Sequence, residues 1–135
     1  MKPTAAVRCA LRVLVHLAGL DASAPATAHA FARAHGISGA FLLKALLPLA
    51  RAGVLQSRRG PNGGYRLARP ATQITLLEIV EAVDGPIRGL VPAIEGGPAA
   101  AARFNRRLAE VCDAAADAAR KELQKVRLSA LAGVG

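Results

Sequence analysis

A dense group of glycines and a proline interrupts the helical pattern of this sequence near its middle. Residues 58–65 read Arg-Arg-Gly-Pro-Asn-Gly-Gly-Tyr, and glycine and proline at this density predict a tight loop. The short runs on either side, residues 54–57 and 65–67, suit β-strands. The segment therefore predicts a two-stranded hairpin within a chain that otherwise shows helical periodicity.

Helices are predicted on both sides of this hairpin. The first 20 residues carry apolar side chains at the spacing of an amphipathic helix. Residues 27–35 predict a short second helix that ends at Gly36, and Ser38 begins a third. Thr75 and Glu78 form the capping box of a fourth helix. The order of three helices, a hairpin and a helix predicts a winged helix-turn-helix, which is mainly α with a small β-hairpin wing.

The last third of the chain predicts a loop followed by one long helix. Residues 87–103 lack periodicity and are rich in proline and glycine. An apolar stripe then continues over residues 104–132, long enough for a helix of about 40 Å. The stripe either folds back on its own domain or pairs with a second subunit, and we favour pairing. The predicted organisation is a DNA-binding domain over 1–86, a loop over 87–103 and a dimerisation helix over 104–132.

The charges are divided unequally along the chain. Residues 1–77 hold ten lysines and arginines and one acid, Asp21, whereas residues 78–135 hold eight residues of each sign. The whole net charge of +9 therefore belongs to the first 77 residues. Solubility does not require this division, whereas binding to a phosphate backbone does. The charge pattern therefore favours double-stranded DNA as the partner.

Two groups of residues are predicted to contact DNA. In a helix-turn-helix the N-terminal residues of the second helix reach the base edges in the major groove. Arginines on the wing are expected in an adjacent minor groove or on phosphates, although a single arginine is more often only solvated. The predicted contacts are Ser38, Gly39, Ala40, Phe41 and Lys44 from the helix, and Arg58, Arg59 and Tyr65 from the wing.

Other classes of protein fit the sequence less well. The glycine-rich loop lacks the pattern of a nucleotide-binding phosphate loop. His16, His29 and His35 have neither metal-ligand spacing nor a carboxylate near them in sequence, so we expect no enzyme activity. Cys9 and Cys112 lie too far apart in sequence for a self-contained zinc motif. Neither a signal peptide nor a membrane span is recognisable, and we expect a cytoplasmic protein.

Five stretches resemble one family of bacterial regulators. They are Gly-Ile-Ser at 36–38, Phe-Leu at 41–42, Leu-Ala-Arg-Ala-Gly-Val-Leu at 49–55, the wing at 57–69 with its Arg-Gly-Pro-Asn-Gly-Gly-Tyr core, and Ile-Thr-Leu-Leu-Glu-Ile-Val-Glu-Ala-Val-Asp-Gly at 74–85. Together they look like the Rrf family of winged-helix transcriptional regulators, which includes IscR, NsrR and CymR. The resemblance implies a homodimeric regulator, usually a repressor. It further implies binding of a pseudo-palindromic operator through the third helix and the wing, and dimerisation through a long C-terminal helix.

The cysteines depart from the pattern of the cluster-binding members of this family. Those members carry about three cysteines in and just after the loop that follows the fourth helix, and thiolates hold iron–sulfur clusters. Residues 87–111 contain none here, and Cys112 resembles the last of the three. We therefore expect no cofactor and regard an iron–sulfur cluster as disfavoured. Two alternatives for the signal stay open, namely redox sensing at Cys112 and a small molecule or protein bound by the loop.

Two departures from the family pattern lie in the third helix. Pro48 lies inside that helix, where it removes a backbone donor, and Phe41 replaces the tyrosine usual in the family, which loses a hydroxyl. Pro48 and the small residues at the start of the helix favour an alternative, a winged-helix protein-interaction module that has lost DNA binding. The absence of acids between Asp21 and Glu78 argues against it. The sequence thus predicts a sequence-specific, DNA-binding transcriptional regulator, a homodimeric repressor that responds to a redox or small-molecule signal.

Overall fold

A computed structural model describes residues 2–19, 27–59, 64–89 and 99–133. The element order confirms the predicted mainly helical winged helix-turn-helix with its small hairpin. In chain order the elements are α1 (Ala5–Ala18), α2 (Ala28–His35), α3 (Gly39–Arg51), β1 (Leu55–Arg58), β2 (Gly64–Leu67), a single 3-10 turn (Ala71–Gln73), α4 (Leu76–Asp84), α5 (Ala99–Gln124) and α6 (Leu128–Ala132).

The core lies where α1 meets α3, α4 and α6. α1 begins at Thr4, whose side-chain oxygen accepts a hydrogen bond from the Val7 N–H at 3.2 Å and so satisfies an open donor of the first turn. Apolar residues from all four helices then meet in one cluster. The largest fully buried side chains are Val7, Leu14, Leu42, Leu46, Leu49, Val54, Ile74, Ile79 and Leu128.

The hairpin continues directly from α3. The Val54 N–H donates to the Leu49 carbonyl at 3.0 Å, which closes the end of the helix. β1 and β2 then pair antiparallel, with Leu55 opposite Leu67 and Arg58 opposite Gly64. Because Leu55 is buried, the base of the hairpin is fixed to the core. Its tip, residues 60–63, lies outside the described residues.

α4 begins with the predicted capping box. The Thr75 hydroxyl accepts from the Glu78 N–H at 3.1 Å, and the Glu78 carboxylate accepts from the Thr75 N–H at 2.9 Å. Arg69 adds an ion pair to the same carboxylate at 2.8 Å. Burial alone would raise the pKa of Glu78, but the hydrogen bonds from Thr75 and Arg69 and the charge of Arg69 together lower it.

A lowered pKa makes the contribution of Glu78 to stability depend on pH. That contribution is complete above the ordinary glutamate pKa of about 4.3 and is lost as the pH falls through the lower folded value. We expect Glu78→Gln to cost about 0.5 to 1 kcal/mol at pH 6, and the difference from the native chain to shrink towards pH 3. Urea unfolding at several pH values measures this. The control, Glu122→Gln, removes an exposed i,i+3 ion pair with Lys125, and a cost as large there would contradict the prediction.

The C-terminal region differs from the single helix predicted over residues 104–132. α5 begins earlier, at Ala99, so the end of the predicted loop 87–103 is helical, and residues 90–98 of that loop lie outside the described residues. α5 ends at Gln124, and the separate helix α6 begins at Leu128. The break arises because the chain between them pairs with residues 74–76. Val126 accepts from the Leu76 N–H and Leu128 donates to the Ile74 carbonyl, both at 2.8 Å.

The part of the apolar stripe in α6 folds back on its own domain, whereas the stripe in the first half of α5 is exposed. α6 folds back on its own domain, because Leu128 is fully buried in the core. The second half of α5 is fixed to α4 by an ion pair between Arg120 and Glu81. The first half is open, with Phe104 53% and Val111 64% exposed. None of the described helices is long and apolar enough to span a membrane.

Candidate nucleic-acid interface

The turn between α2 and α3 is fixed by backbone geometry and caps. Gly36 adopts φ 63°, in the left-handed region that favours glycine, and ends α2. The Ile37 N–H donates to the Ala32 carbonyl at 2.9 Å, and the Ser38 hydroxyl accepts from the Phe41 N–H at 3.4 Å. These contacts set the direction in which α3 leaves the turn, and they form the helix-turn-helix that the sequence predicted.

α3 has one buried and one exposed face. Leu42, Ala45, Leu46 and Leu49 lie in the core. The predicted contact residues are all exposed, namely Ser38, Gly39, Ala40, Phe41 and Lys44. Pro48 does not end the helix, which continues to Arg51. The structure therefore brings the predicted residues of α3 together at the surface, and their contact with DNA stays a prediction.

Two exposed leucines of α3 were missed by the sequence reasoning. Leu43 is 42% exposed and Leu47 is 48% exposed, on the face opposite the buried stripe. The sequence carries a signal for them, because Leu43 and Leu47 follow Ala40 at intervals of three and seven residues and lie off the stripe through Leu42 and Leu49. Since leucine is usually a core residue, that signal is easily overlooked.

The side chains of the wing differ in their exposure. Arg58 and Arg59 are exposed beside the hairpin tip. Arg66, in contrast, donates to the Gln56 side chain at 2.9 Å. Tyr65 is half-buried and packs against the core, where it lines a small cavity with Phe31 and others. The prediction that Tyr65 contacts DNA stays untested, but its packing gives it a structural role that the sequence did not indicate.

The ion pairs among the described residues lie away from α3 and the wing tip. They join Arg69 to Glu78, Arg120 to Glu81, and Lys125 to Glu122. Within the described part of the chain, no carboxylate forms a salt bridge with any of four cations: Lys44, Arg51, Arg58 and Arg59. The positive charge of this surface is therefore available to a partner.

His16 on α1 and His35 on α2 both pack against the ring of Phe31. The Phe31 ring stacks on His35 with centroids 4.2 Å apart and contacts His16 at 5.6 Å. Arg12 lies 2.9 Å from His35 Nδ1, and because a guanidinium only donates, that nitrogen accepts the hydrogen bond. His16, Arg12 and His35 also line a shallow surface groove, in which no carboxylate lies among the lining residues.

The two cysteines lie in different surroundings. Cys9 is buried in the core, and burial raises the pKa of its thiol, although the charge of Arg12 offsets part of this. Cys112 is half-buried on α5. A Cβ placed on Gly89 would collide with the backbone of Cys112 and Asp113, so the segment after α4 lies directly against α5 there. The role of Cys112 as a redox sensor stays a prediction.

Comparison with known proteins places this architecture in a family. The family model for Rrf2, described as an iron-dependent transcriptional regulator, matches residues 4–133. The chain belongs to the Rrf2 family. This confirms the resemblance carried by the wing and the helix-turn-helix, and both the fold and the family are those of transcriptional regulators rather than enzymes.

Individual Rrf2 relatives agree with this assignment. The chain is 53% identical over 53 residues to Protein aau3 of Rhizobium meliloti, a match covering 39% of this chain and 34% of that protein. It is 31% identical over 87 residues to the regulator CymR of Bacillus subtilis, covering 64% of this chain and 63% of CymR. The matches thus span less than two thirds of either relative. The solved structure of CymR, the global cysteine regulator of B. subtilis, superposes with a TM-score of 0.73 at 26% identity, over 98% of this chain and 97% of that one.

The residues of this chain do not fit the iron–sulfur cluster that the family implies. Such clusters are held by several cysteine thiolates, whereas the whole chain has two cysteines. Cys9 is enclosed in the core of the winged helix, which leaves Cys112 alone. Within the described ranges, no group of three or more His, Cys, Asp or Glu side chains is placed to hold a metal ion.

Proposed function

We propose that this chain represses transcription as a homodimer that binds a pseudo-palindromic operator through α3 and the wing. The observation that carries the proposal is the exposed, cationic surface formed by a capped α3 and an arginine-bearing hairpin. A helix of this size fits the major groove, and the cations beside it, which form no salt bridge within the described ranges, favour phosphates. The proposed site of action is the cytoplasm, where bacterial operators lie.

The exposed first half of α5 supports the homodimer. Phe104 and Val111 lie at the helical spacing of one stripe and are more than half exposed. When two identical stripes of this kind pair, their large apolar side chains are buried against each other, which stabilises the dimer. A twofold dimer would present two copies of α3, and a pseudo-palindromic operator matches that symmetry.

One variant tests DNA binding and dimerisation together. We expect the native chain to shift DNA from upstream of its own gene at low salt, and to lose affinity steeply as salt rises. Val111→Asp places a charge in the proposed dimer contact, and we expect at least about a tenfold rise in the dimer dissociation constant, with a parallel loss of operator affinity. Analytical ultracentrifugation and an electrophoretic shift assay at two salt concentrations measure the two effects.

A second substitution on the same helix supplies the control. Ala102 is exposed nine residues before Val111, half a turn around α5 from it, so Ala102→Asp adds the same charge outside the proposed contact. We expect it to leave both constants unchanged. A native chain that fails to bind DNA at low salt would support the interaction-module alternative. A Val111→Asp variant that stays dimeric would place the dimer contact elsewhere.

A further inference from the structure

The exposed face of α3 is apolar although the surface around it is cationic. Of the six exposed large hydrophobic side chains among the described residues, three lie on α3: Phe41, Leu43 and Leu47. Leu43 and Leu47 are each more than two fifths exposed, next to Lys44 and Arg51 on the same side of the helix. Exposing leucine to water is unfavourable. A pair of leucines beside cations that form no salt bridge in the described part of the chain indicates a partner that is both anionic and locally apolar.

The spacing of the leucines matches the dimensions of DNA. Leu43 and Leu47 are four residues apart, which corresponds to about 6 Å along the helix. This distance is close to two base-pair steps of about 3.4 Å. If α3 lies in the major groove, the two side chains would therefore contact base pairs about two steps apart.

The chemistry of the major groove leaves one apolar target for them. Each base pair presents hydrogen-bond donors and acceptors there, and thymine adds its 5-methyl group. Leucine has no hydrogen-bonding atom in its side chain, so it distinguishes bases only by apolar contact. Lys44 and Arg51 lie beside the leucines as polar side chains, and the Ser38 hydroxyl, which accepts the capping hydrogen bond of α3, keeps its O–H as a donor.

We propose that Leu43 and Leu47 determine operator specificity by packing against thymine 5-methyl groups. This inference rests on the DNA binding proposed above. An apolar patch on a partner protein is the other occupant that leucines would accept. DNA is favoured because Lys44 and Arg51 lie on the same helix as the leucines, and neither they nor the wing residues Arg58 and Arg59 form a salt bridge among the described residues.

Replacement of thymine by deoxyuridine tests the proposal directly. This exchange removes the 5-methyl group and leaves every hydrogen-bonding atom of the base in place. The full-length chain first selects a duplex from a random-sequence library, and thymines in each half-site are then exchanged one at a time. We expect affinity to fall about fourfold for each contacted methyl group. In the Leu43→Ala variant, the effect at the thymine that Leu43 contacts should fall below about twofold.

Leu131→Ala is the matched control, because it truncates an exposed leucine on α6, outside α3. We expect it to keep both the affinity and the full response to deoxyuridine. Specific binding that ignores every exchange, or a selected half-site without thymine, would overturn the leucine readout and leave the proposed function intact. Failure to select any duplex at low salt would overturn the proposed function and the readout together, and would favour a protein partner for this face.

Discussion

Replacing Leu128 by alanine is expected to lower the free energy of unfolding by about 2 to 5 kcal/mol, the range for leucine truncation in a packed core. Leu128 is 0% exposed and belongs to the same cluster as the buried residues of α1 and α3. Its N–H also donates to the Ile74 carbonyl at 2.8 Å. Alanine keeps that hydrogen bond, so the loss reports the side chain alone.

Leu131 offers a control on the same short helix. Leu131 is 46% exposed. Leu131→Ala removes the same atoms, and we expect it to change the free energy of unfolding by no more than about 0.5 kcal/mol. Urea unfolding followed by circular dichroism measures both variants. The protein concentration must be held constant, because dimerisation would add to the apparent stability. A small loss for Leu128→Ala would mean that α6 does not complete the core in solution.

The paired substitution Arg58→Ala with Arg59→Ala is expected to weaken DNA binding about a hundredfold or more. Both side chains are exposed at the start of the wing tip and form no salt bridge within the described residues. A hydrogen bond to a charged group contributes about 1.5 kcal/mol or more, so two lost contacts reach that factor. If both arginines contact phosphates, the slope of log affinity against log salt should also flatten by about two.

A pair of arginines outside the proposed interface separates contact from overall charge. Arg106 and Arg107 are exposed on α5, and replacing both by alanine removes the same charge. We expect that pair to change affinity much less and to leave the salt slope nearly constant. Equal effects from the two pairs would show that the wing acts only through the net charge of the protein.

The local elements of this fold follow from short-range signals. Thr75 and Glu78 predicted the start of α4, since a capping box uses only backbone groups within one turn. Gly36 and Ser38 predicted the turn before α3 for the same reason. The division of the sequence into a helix-turn-helix and a wing could thus be predicted without knowledge of distant contacts.

Features that depend on distant contacts could not be predicted in this way. The periodicity of the apolar stripe continues through Val126, but the backbone there pairs with Leu76, some 50 residues earlier, and the helix breaks. Tyr65 stays a predicted DNA contact, but its packing against the core, beside Phe31 in the lining of a small cavity, could not be predicted from the local sequence. Hydrophobicity alone does not distinguish Leu43, which is exposed, from Leu42, which is buried. The candidate interface was predicted through its charges and small residues, whereas its leucines, although they lie off the buried stripe, were recognised only from their exposure in the structure.

The backbone pairing of residues 126–128 with residues 74–76 makes the winged helix a discontinuous domain. Its core contains Leu14 near one end of the chain and Leu128 near the other, with the whole of α5 inserted between α4 and α6. Domains generally fold as units while a chain is being synthesised. Here the unit lacks a central side chain until residue 128 has left the ribosome, so the surface proposed to bind DNA acquires its final stability only after α5, the helix proposed for dimerisation, has been made.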